Sequence, residues 1–310
     1  MGGGGGGGGP TIGPEDMKRQ IRKTEAQVAA QGFETQLAEK LQDFLKEYNS
    51  RDTQLAHDRL GEILNQLGKD LEGSFETLFG GSVAKHTYVD GLSDVDSLLI
   101  VNKNELANSS PQDVLKYVSG VLTESLKSEA KISAGDLAVT VEYSDGMQIQ
   151  LLPALKTATG IKIPALKTKD WSEIVRPKRF SETLTKRNIE CGNKLIPTIK
   201  FAKVINDKLP EQQQLTGYHI ESMAIEAFSG YAGTNTTSSM LPHFFEKAAT
   251  LVLSPLKDKT GQSRRVDDYL GSANSPERHR VGHLLNRIFR RMRNATASGS
   301  LEQWEALFDE

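Results

Sequence analysis

The sequence predicts an α/β chain of the α+β kind, with a mixed-sheet lobe followed by a C-terminal helical lobe. Three observations carry this. Strand-like stretches, "SFETLF", "DSLLIVN", "LAVTVEY" and "MQIQLLPA", are confined to the first half. The last two flank Asp145-Gly146, a dipeptide that suits a tight hairpin turn because both positions tolerate positive φ. After about Arg179 strand signals stop, and helical patterns run to the end, broken at "LPEQQQLTG", "GTNTTSS" and "SPLKDKTGQSRR".

From Pro14 to about Glu72 the chain reads as helix, with Leu60, Ile63, Leu64, Leu67 and Leu71 recurring every three or four residues and turning one stripe to a core. "SFETLF" then leads as a short strand into Gly80-Gly81, and the continuous apolar run of "DSLLIVN" marks a buried strand. With 310 residues, 37% of them hydrophobic, the chain can bury two closely packed lobes. The expected division is a flexible Gly-rich tail over 1–13, helices and sheet core over 14–179, and a helical lobe over 180–310.

The formal charge of −2, from 38 basic and 40 acidic residues, gives no global pull toward nucleic acid or membrane. A lone cysteine, Cys191, excludes an internal disulfide framework and a multi-cysteine zinc module, and suits a reducing cytoplasm. No apolar run is long enough to span a bilayer. The chain is therefore expected in the cytoplasm, with no membrane partner.

The chemistry concentrates in "GGSVAKHTYVDGLSDVDSLLIV", residues 80 to 101. Asp94 and Asp96 stand two apart at the head of the buried strand, where an extended backbone gives both one face and two like charges call for a cation. Magnesium takes hard oxygen ligands, commonly one or two carboxylates together with substrate phosphates. Gly80, Gly81 and Ser82, followed by a helix turn at "VAKH", would offer backbone N–H groups and a hydroxyl to phosphate oxygens. The turn and the carboxylate pair would hold opposite ends of one triphosphate. A lone DxD is usually a loop carboxylate pair; the spacing from the Gly-Gly-Ser turn makes this one specific. No Walker-type phosphate loop competes for the role.

This stretch resembles the GS, about ten residues, then DxD signature of the nucleotidyltransferase fold superfamily. Within it, the wording is most similar to the branch of oligoadenylate synthase, cyclic GMP-AMP synthase and the bacterial cyclic-oligonucleotide synthases of anti-phage signalling, and closest to the bacterial group. The resemblance implies a nucleotidyltransferase fold, NTP substrates including ATP, magnesium or manganese at Asp94 and Asp96, and phosphate held by Ser82 and the Gly81 backbone. It implies that Lys200 and Lys203 of "NKLIPTIKFAKVIN", spaced to share a helix face, neutralise the triphosphate. Spacing alone would make the two lysines a solvated face. In "LTGYHIESMAIEAF", Tyr218 corresponds to a base-stacking aromatic, and Gly217 stands where a serine is usual.

The main departure is Gln150. The family usually places a third metal-ligating carboxylate there, on a strand ending in an apolar-Pro sequence, and a glutamine supplies a neutral carbonyl oxygen without accepting a proton. Pairing about Asp145-Gly146 is expected to set Val141 opposite Gln150 and to turn Glu142 to the other face. Gln150 leaves two readings: a substituted, inactivated form of an active enzyme, or a variant that binds nucleotide with little turnover.

His279 and His283, at i and i+4 in "RHRVGHLLNRIFRRMRNA", lack the glutamate of a zinc-protease helix. Val281, Leu284, Leu285, Ile288, Phe289 and Met292 form the core stripe of an amphipathic helix, and Arg280, Arg287, Arg290, Arg291 and Arg293 its solvated or ion-paired face. With one cysteine the chain lacks the zinc module by which the animal synthase engages DNA, so no DNA activator is expected.

The leading functional expectation is metal-dependent synthesis of a cyclic or linear oligonucleotide second messenger from NTPs, in bacterial anti-phage signalling with a protein regulator or effector as partner. The alternatives are transfer of one nucleotide to a protein, RNA or antibiotic hydroxyl, and a catalytically silent nucleotide-binding regulator.

Overall fold

The computed structural model describes residues 14–49, 53–69, 73–79, 85–87, 95–165, 169–257 and 266–309. Gly80, Gly81, Ser82, Asp94 and the Gly-rich tail lie outside these residues, and Asp96 is described in its backbone alone.

Helices α1 (Pro14–Tyr48) and α2 (Thr53–Leu67) precede strand β1 (Gly73–Phe79) and strand β2 (Val95–Asn104). Helix α3 (Pro111–Ser125) starts at Ser110, whose hydroxyl accepts from the Asp113 N–H at 3.2 Å, with Pro111 in the first turn where no N–H is needed. Strands β3 (Ala130–Ala134), β4 (Val139–Tyr143) and β5 (Gln148–Lys156) follow, then three two-residue strands, β6 (Ile161–Lys162), β7 (Pro164–Ala165) and β8 (Asp170–Trp171).

The main sheet runs β1-β2-β5-β4-β3, with β6 added beside β5. It is mixed: β2 and β5 are parallel, and the other pairs are antiparallel. The hairpin between β4 and β5 closes at Gly146, φ 86°, while Asp145 accepts from the Met147 N–H at 3.1 Å and pairs with Arg59 of α2 at 2.9 Å.

Strand alternation divides the sheet into two unlike faces. Leu99, Val101, Val139, Val141, Ile149 and Leu151 are buried against Leu60, Ile63 and Leu67 of α2 and Val114, Val118 and Leu122 of α3. Each of those large apolar side chains contributes about 1.5–3 kcal/mol by leaving water, and an Ile63→Ala cavity would cost about 2–5 kcal/mol. The opposite face carries a smaller cluster of Leu98, Ile100, Ala154 and Ile161. Beyond that cluster, toward the start of β5, it turns polar.

The second lobe consists of α4 (Pro177–Glu190), α5 (Leu195–Asp207), α6 (Gly217–Ala227), α7 (Thr237–Leu251), α8 (Pro276–Ser298) and α9 (Leu301–Asp309). Val281, Leu285, Ile288 and Met292 of α8 are buried in its core, as their spacing predicts, and α8 ends on Gly299 in the left-handed conformation, φ 62°. The second half of α1 joins this core through Phe33, Leu37 and Leu41 at fourfold spacing. Its N-terminal part, through Gly32, is exposed. No helix of the described residues is long and apolar enough to cross a membrane.

Candidate active site

The polar end of the open sheet face is set by register. Asp96 of β2 pairs with Gln150 of β5, and Gln150 pairs on its other side with Thr140 of β4. These three residues form one row across neighbouring strands, so the Gln150 position assigned from the sequence does lie beside the DxD strand. The expected hairpin register is corrected by one residue: Val141 pairs with Ile149, and Glu142 pairs with Gln148. The turn is built on Tyr143 to Met147, wider by one residue than a two-residue loop, and the slip exchanges faces. Glu142 therefore shares Gln150's face, as a diagonal neighbour at roughly 7–8 Å between side-chain bases, and lies 3.8 Å from the Lys131 ammonium.

Among the described residues no three His, Cys, Asp or Glu side chains cluster as a metal site. By residue type, Asp96 and Gln150 of this row, with Asp94 two positions before Asp96 in sequence, carry hard oxygens, which is what magnesium or manganese requires. The residues present fit such an ion, with one negative charge fewer than three carboxylates would supply.

The seam between the lobes is a buried charge cluster. Glu221 of α6, 1% exposed, accepts from both Lys203 of α5, at 2.9 Å, and Lys85 of the short segment 85–87. Thr87 Oγ1 donates to the same carboxylate, and Lys203 Nζ also donates to the Thr87 carbonyl at 3.0 Å. Burial pushes the Glu221 carboxyl up, but the ammonium groups of Lys203 and Lys85 and the bonds from Lys85 and Thr87 outweigh it, so its pKa is lowered. The single carboxylate is shared by two ammoniums: removing Glu221 would strand both lysines, whereas removing either lysine leaves the other to neutralise the carboxylate.

Lys200, one turn earlier on α5, donates to Asn49 and is 4% exposed. Burial, reinforced by the charge of Lys203, drops its pKa to about 8. The solvated face that spacing alone would give these lysines is thus replaced by two buried ammoniums, Lys203 meeting the 85–87 segment and Lys200 meeting Asn49. Tertiary packing wraps α5 on every side, which its own amphipathic pattern does not disclose.

Tyr218 begins α6 beside this cluster, its ring 5.0 Å from that of Phe180 in α4. The Lys85 ammonium sits over both rings, 5.1 Å from Phe180 and 5.9 Å from Tyr218. A Cβ at Gly217 would lie 3.5 Å from Cε and Nζ of Lys203, an ordinary van der Waals contact, so Gly217 faces the Lys203 ammonium without steric need for a glycine. Thr216, one residue earlier, caps α6 by accepting from the His219 N–H at 3.2 Å.

The structure thus brings together Lys200, Lys203 and Tyr218, and separately sets Asp96 beside Gln150. It adds Lys85, Thr87, Phe180 and Glu221, to which sequence reasoning assigned no role. Lys85 and Thr87 lie inside the same quoted stretch as Gly81 and Ser82, and Glu221 lies at i+3 from Tyr218. Their signal was proximity to the motif, and the partnership between them is tertiary. His279 and His283, 6.5 Å apart between ring centres, stand on the exposed face of α8.

Residues 35–188 match the family model of the Second Messenger Oligonucleotide or Dinucleotide Synthetase domain. No curated protein sequence matches the chain. Among solved structures, the Bradyrhizobium diazoefficiens CD-NTase CdnG in complex with GTP superposes with a TM-score of 0.66 at 12% identity, over 82% of this chain and 89% of that one. The Escherichia coli MS115-1 CdnC structure with ATP gives 0.64 at 14% identity, over 87% and 92%. The Vibrio cholerae DncV cyclic AMP-GMP synthase with nonhydrolyzable GTP gives 0.62 at 11%, over 94% and 90%. At these identities the structures share the fold, a mixed-sheet lobe with a helical lobe. Through residues 35–188, the chain belongs to the Second Messenger Oligonucleotide or Dinucleotide Synthetase family of nucleotidyltransferases.

Proposed function

We propose that this chain joins nucleoside triphosphates into a cyclic or linear oligonucleotide messenger, releasing pyrophosphate, and does so slowly because Gln150 occupies the third-ligand position. The observation that carries the reading is the register of Asp96 beside Gln150, at the open polar end of a sheet whose other face is packed by helices. The buried lysines and Tyr218 at the lobe seam support it. In this reading Asp94, Asp96 and Gln150 hold magnesium or manganese, which when bound neutralises phosphate charge and acidifies the attacking hydroxyl. Ser82 and the Gly81 backbone cradle the phosphates, Lys200 and Lys203 oppose their charge, and Tyr218 stacks on a base.

The chemistry asked of the site is an in-line displacement. The 3′-hydroxyl oxygen of one nucleotide bonds to the α-phosphorus of another as the bond to pyrophosphate breaks, and the hydroxyl proton passes to solvent or a base. Gln150 accepts no proton, so this last transfer lacks the assistance a carboxylate would give. The CdnG, CdnC and DncV structures hold GTP, ATP and nonhydrolyzable GTP respectively, which supports an NTP as ligand here. A cytoplasmic role in anti-phage defence, with a regulator or effector protein, belongs to the same reading.

Incubation with labelled NTPs and no acceptor tests it: oligonucleotide products, however slowly formed, support messenger synthesis. Label transferred only when a protein, RNA or antibiotic is added would favour a single-transfer enzyme. Gln150 keeps one further reading in play, a silent nucleotide-binding regulator, for which NTP binds with metal and no pyrophosphate appears.

A further inference from the structure

Tyr269 lies about 50 residues from α6 in sequence, yet its hydroxyl meets the first turn of that helix. The Thr216 N–H donates to Tyr269 Oη at 3.2 Å, and the same oxygen lies 2.8 Å from Nδ1 of His219. The Tyr269 ring stands edge-on to the His219 imidazole, 5.9 Å between centres and 81° between planes. With the Thr216 N–H donated to the phenol oxygen, the Tyr269 O–H can donate to Nδ1, and in that arrangement His219 carries its proton on Nε2. That Nε2 has no hydrogen-bond partner among the described residues and points toward Oδ2 of Asp267 at 3.7 Å.

The far end of this relay is rigid. Asp267 Oδ2 accepts from Arg278 at 2.7 Å and from the Leu256 N–H at 3.0 Å. Arg278 is fully buried and donates to the carbonyls of Val252, Ser254, Gly271 and Ser272 as well. One guanidinium thus fixes both ends of the connection between α7 and α8, and Tyr269 transmits that fixed position to Thr216, Gly217 and Tyr218.

We infer that Tyr269 is a positioning residue for the nucleotide site, its hydroxyl holding the first turn of α6 so that Tyr218 faces Phe180 and Gly217 faces Lys203. Tyr269 touches neither the phosphate-side lysines nor the Asp96 row and acts through Thr216 and His219. The inference rests on the nucleotide reading of the cleft, and the test separates the two.

Tyr269→Phe keeps the ring against His219 and deletes the hydroxyl. Hydrogen exchange of the peptide covering residues 214–220 and calorimetric titration with magnesium-ATP and magnesium-GTP are measured on the full-length chain and the variant. The inference predicts exchange of that peptide faster by about 3- to 10-fold, the scale of one neutral hydrogen bond, with NTP affinity weaker by a similar factor. Thr236→Ala, which removes the N-cap of α7, is the control: it should lower thermal stability and leave both readouts unchanged. Unaltered exchange in Tyr269→Phe overturns the positioning role whatever the NTP data show. Faster exchange with unchanged NTP affinity overturns its link to the nucleotide. Failure of the parent chain to bind either NTP overturns the nucleotide reading itself, and Tyr269→Leu, which loses ring and hydroxyl together, must show at least the exchange effect of Tyr269→Phe.

Discussion

Lys203 on α5 and Glu221 on α6 form a buried ion pair at 2.9 Å, and the same ammonium reaches across to the Thr87 carbonyl of the sheet lobe at 3.0 Å. One side chain therefore joins two helices and the strand-to-strand segment that follows the Gly-Gly-Ser motif. Lys203→Met should cost about 3 kcal/mol of stability, the lower end for breaking a buried pair, because Lys85 continues to neutralise Glu221. Urea denaturation of the variant checks this. A change below about 0.5 kcal/mol would mean the pair behaves as an exposed one.

Lys200 gives a pH dependence to NTP binding. Its pKa of about 8 in the free protein arises from burial and the neighbouring Lys203 charge. A bound triphosphate favours the ammonium and raises that pKa, so binding takes up a proton above pH 8. Affinity should then fall as pH rises beyond 8, by about tenfold per pH unit at most. Calorimetry at pH 7 and pH 9 in two buffers of different ionisation heat reads the proton uptake. The same affinity and no uptake at both pH values would place Lys200 away from the phosphates.

Stability should also depend on His219. Burial is the main cause of its pKa of about 4, with the Arg278 charge lowering it further and the Asp267 charge opposing both; Tyr269 is the remaining titratable neighbour at hydrogen-bond distance. The unfolded imidazole, near 6.5, binds a proton before the folded one does. Its contribution is complete above about pH 6.5 and is lost as pH falls toward 4, on the order of 3 kcal/mol in all. Denaturation at pH 7 and pH 5 compares the parent with His219→Gln, whose stability should fall less between the two. Parallel losses would assign the acid sensitivity to other groups.

Asp94→Asn combined with Asp96→Asn should abolish metal-dependent triphosphate binding and leave the fold intact or stabilised, since paired carboxylates repel one another without a cation. Calorimetry with and without magnesium, alongside a thermal melt, checks both halves. Undiminished magnesium-dependent affinity would remove the DxD pair from the site.

The sheet lobe was legible because its strands carry continuous or alternating apolar runs, and Asp145-Gly146 announced their hairpin. The parallel pairing of β2 with β5 was not, because nothing local distinguishes it from the antiparallel alternative; it is decided by how the intervening chain crosses over. The one-residue hairpin slip arose from the closure at Tyr143 and Met147, and it moved Glu142 to the face of Gln150. At the site, the motif residues and the lysine spacing could be read directly. The environment of those lysines could not, because burial of Lys200 and Lys203 depends on Asn49, Thr87 and Glu221, which come from three distant parts of the chain.

The central claim is that Gln150 limits an otherwise complete nucleotidyl-transfer site. It is tested most directly by the rate of pyrophosphate release, with product mass, from mixed NTPs and magnesium, for the parent chain, Gln150→Asp, Gln150→Asn and Glu142→Gln. The account predicts slow or undetectable release by the parent, an increase toward the roughly 10²- to 10⁴-fold worth of a general base in Gln150→Asp, and no gain in Gln150→Asn. Rapid release by the parent that Gln150→Asp leaves unchanged and Glu142→Gln abolishes would contradict it, moving the third carboxylate to Glu142.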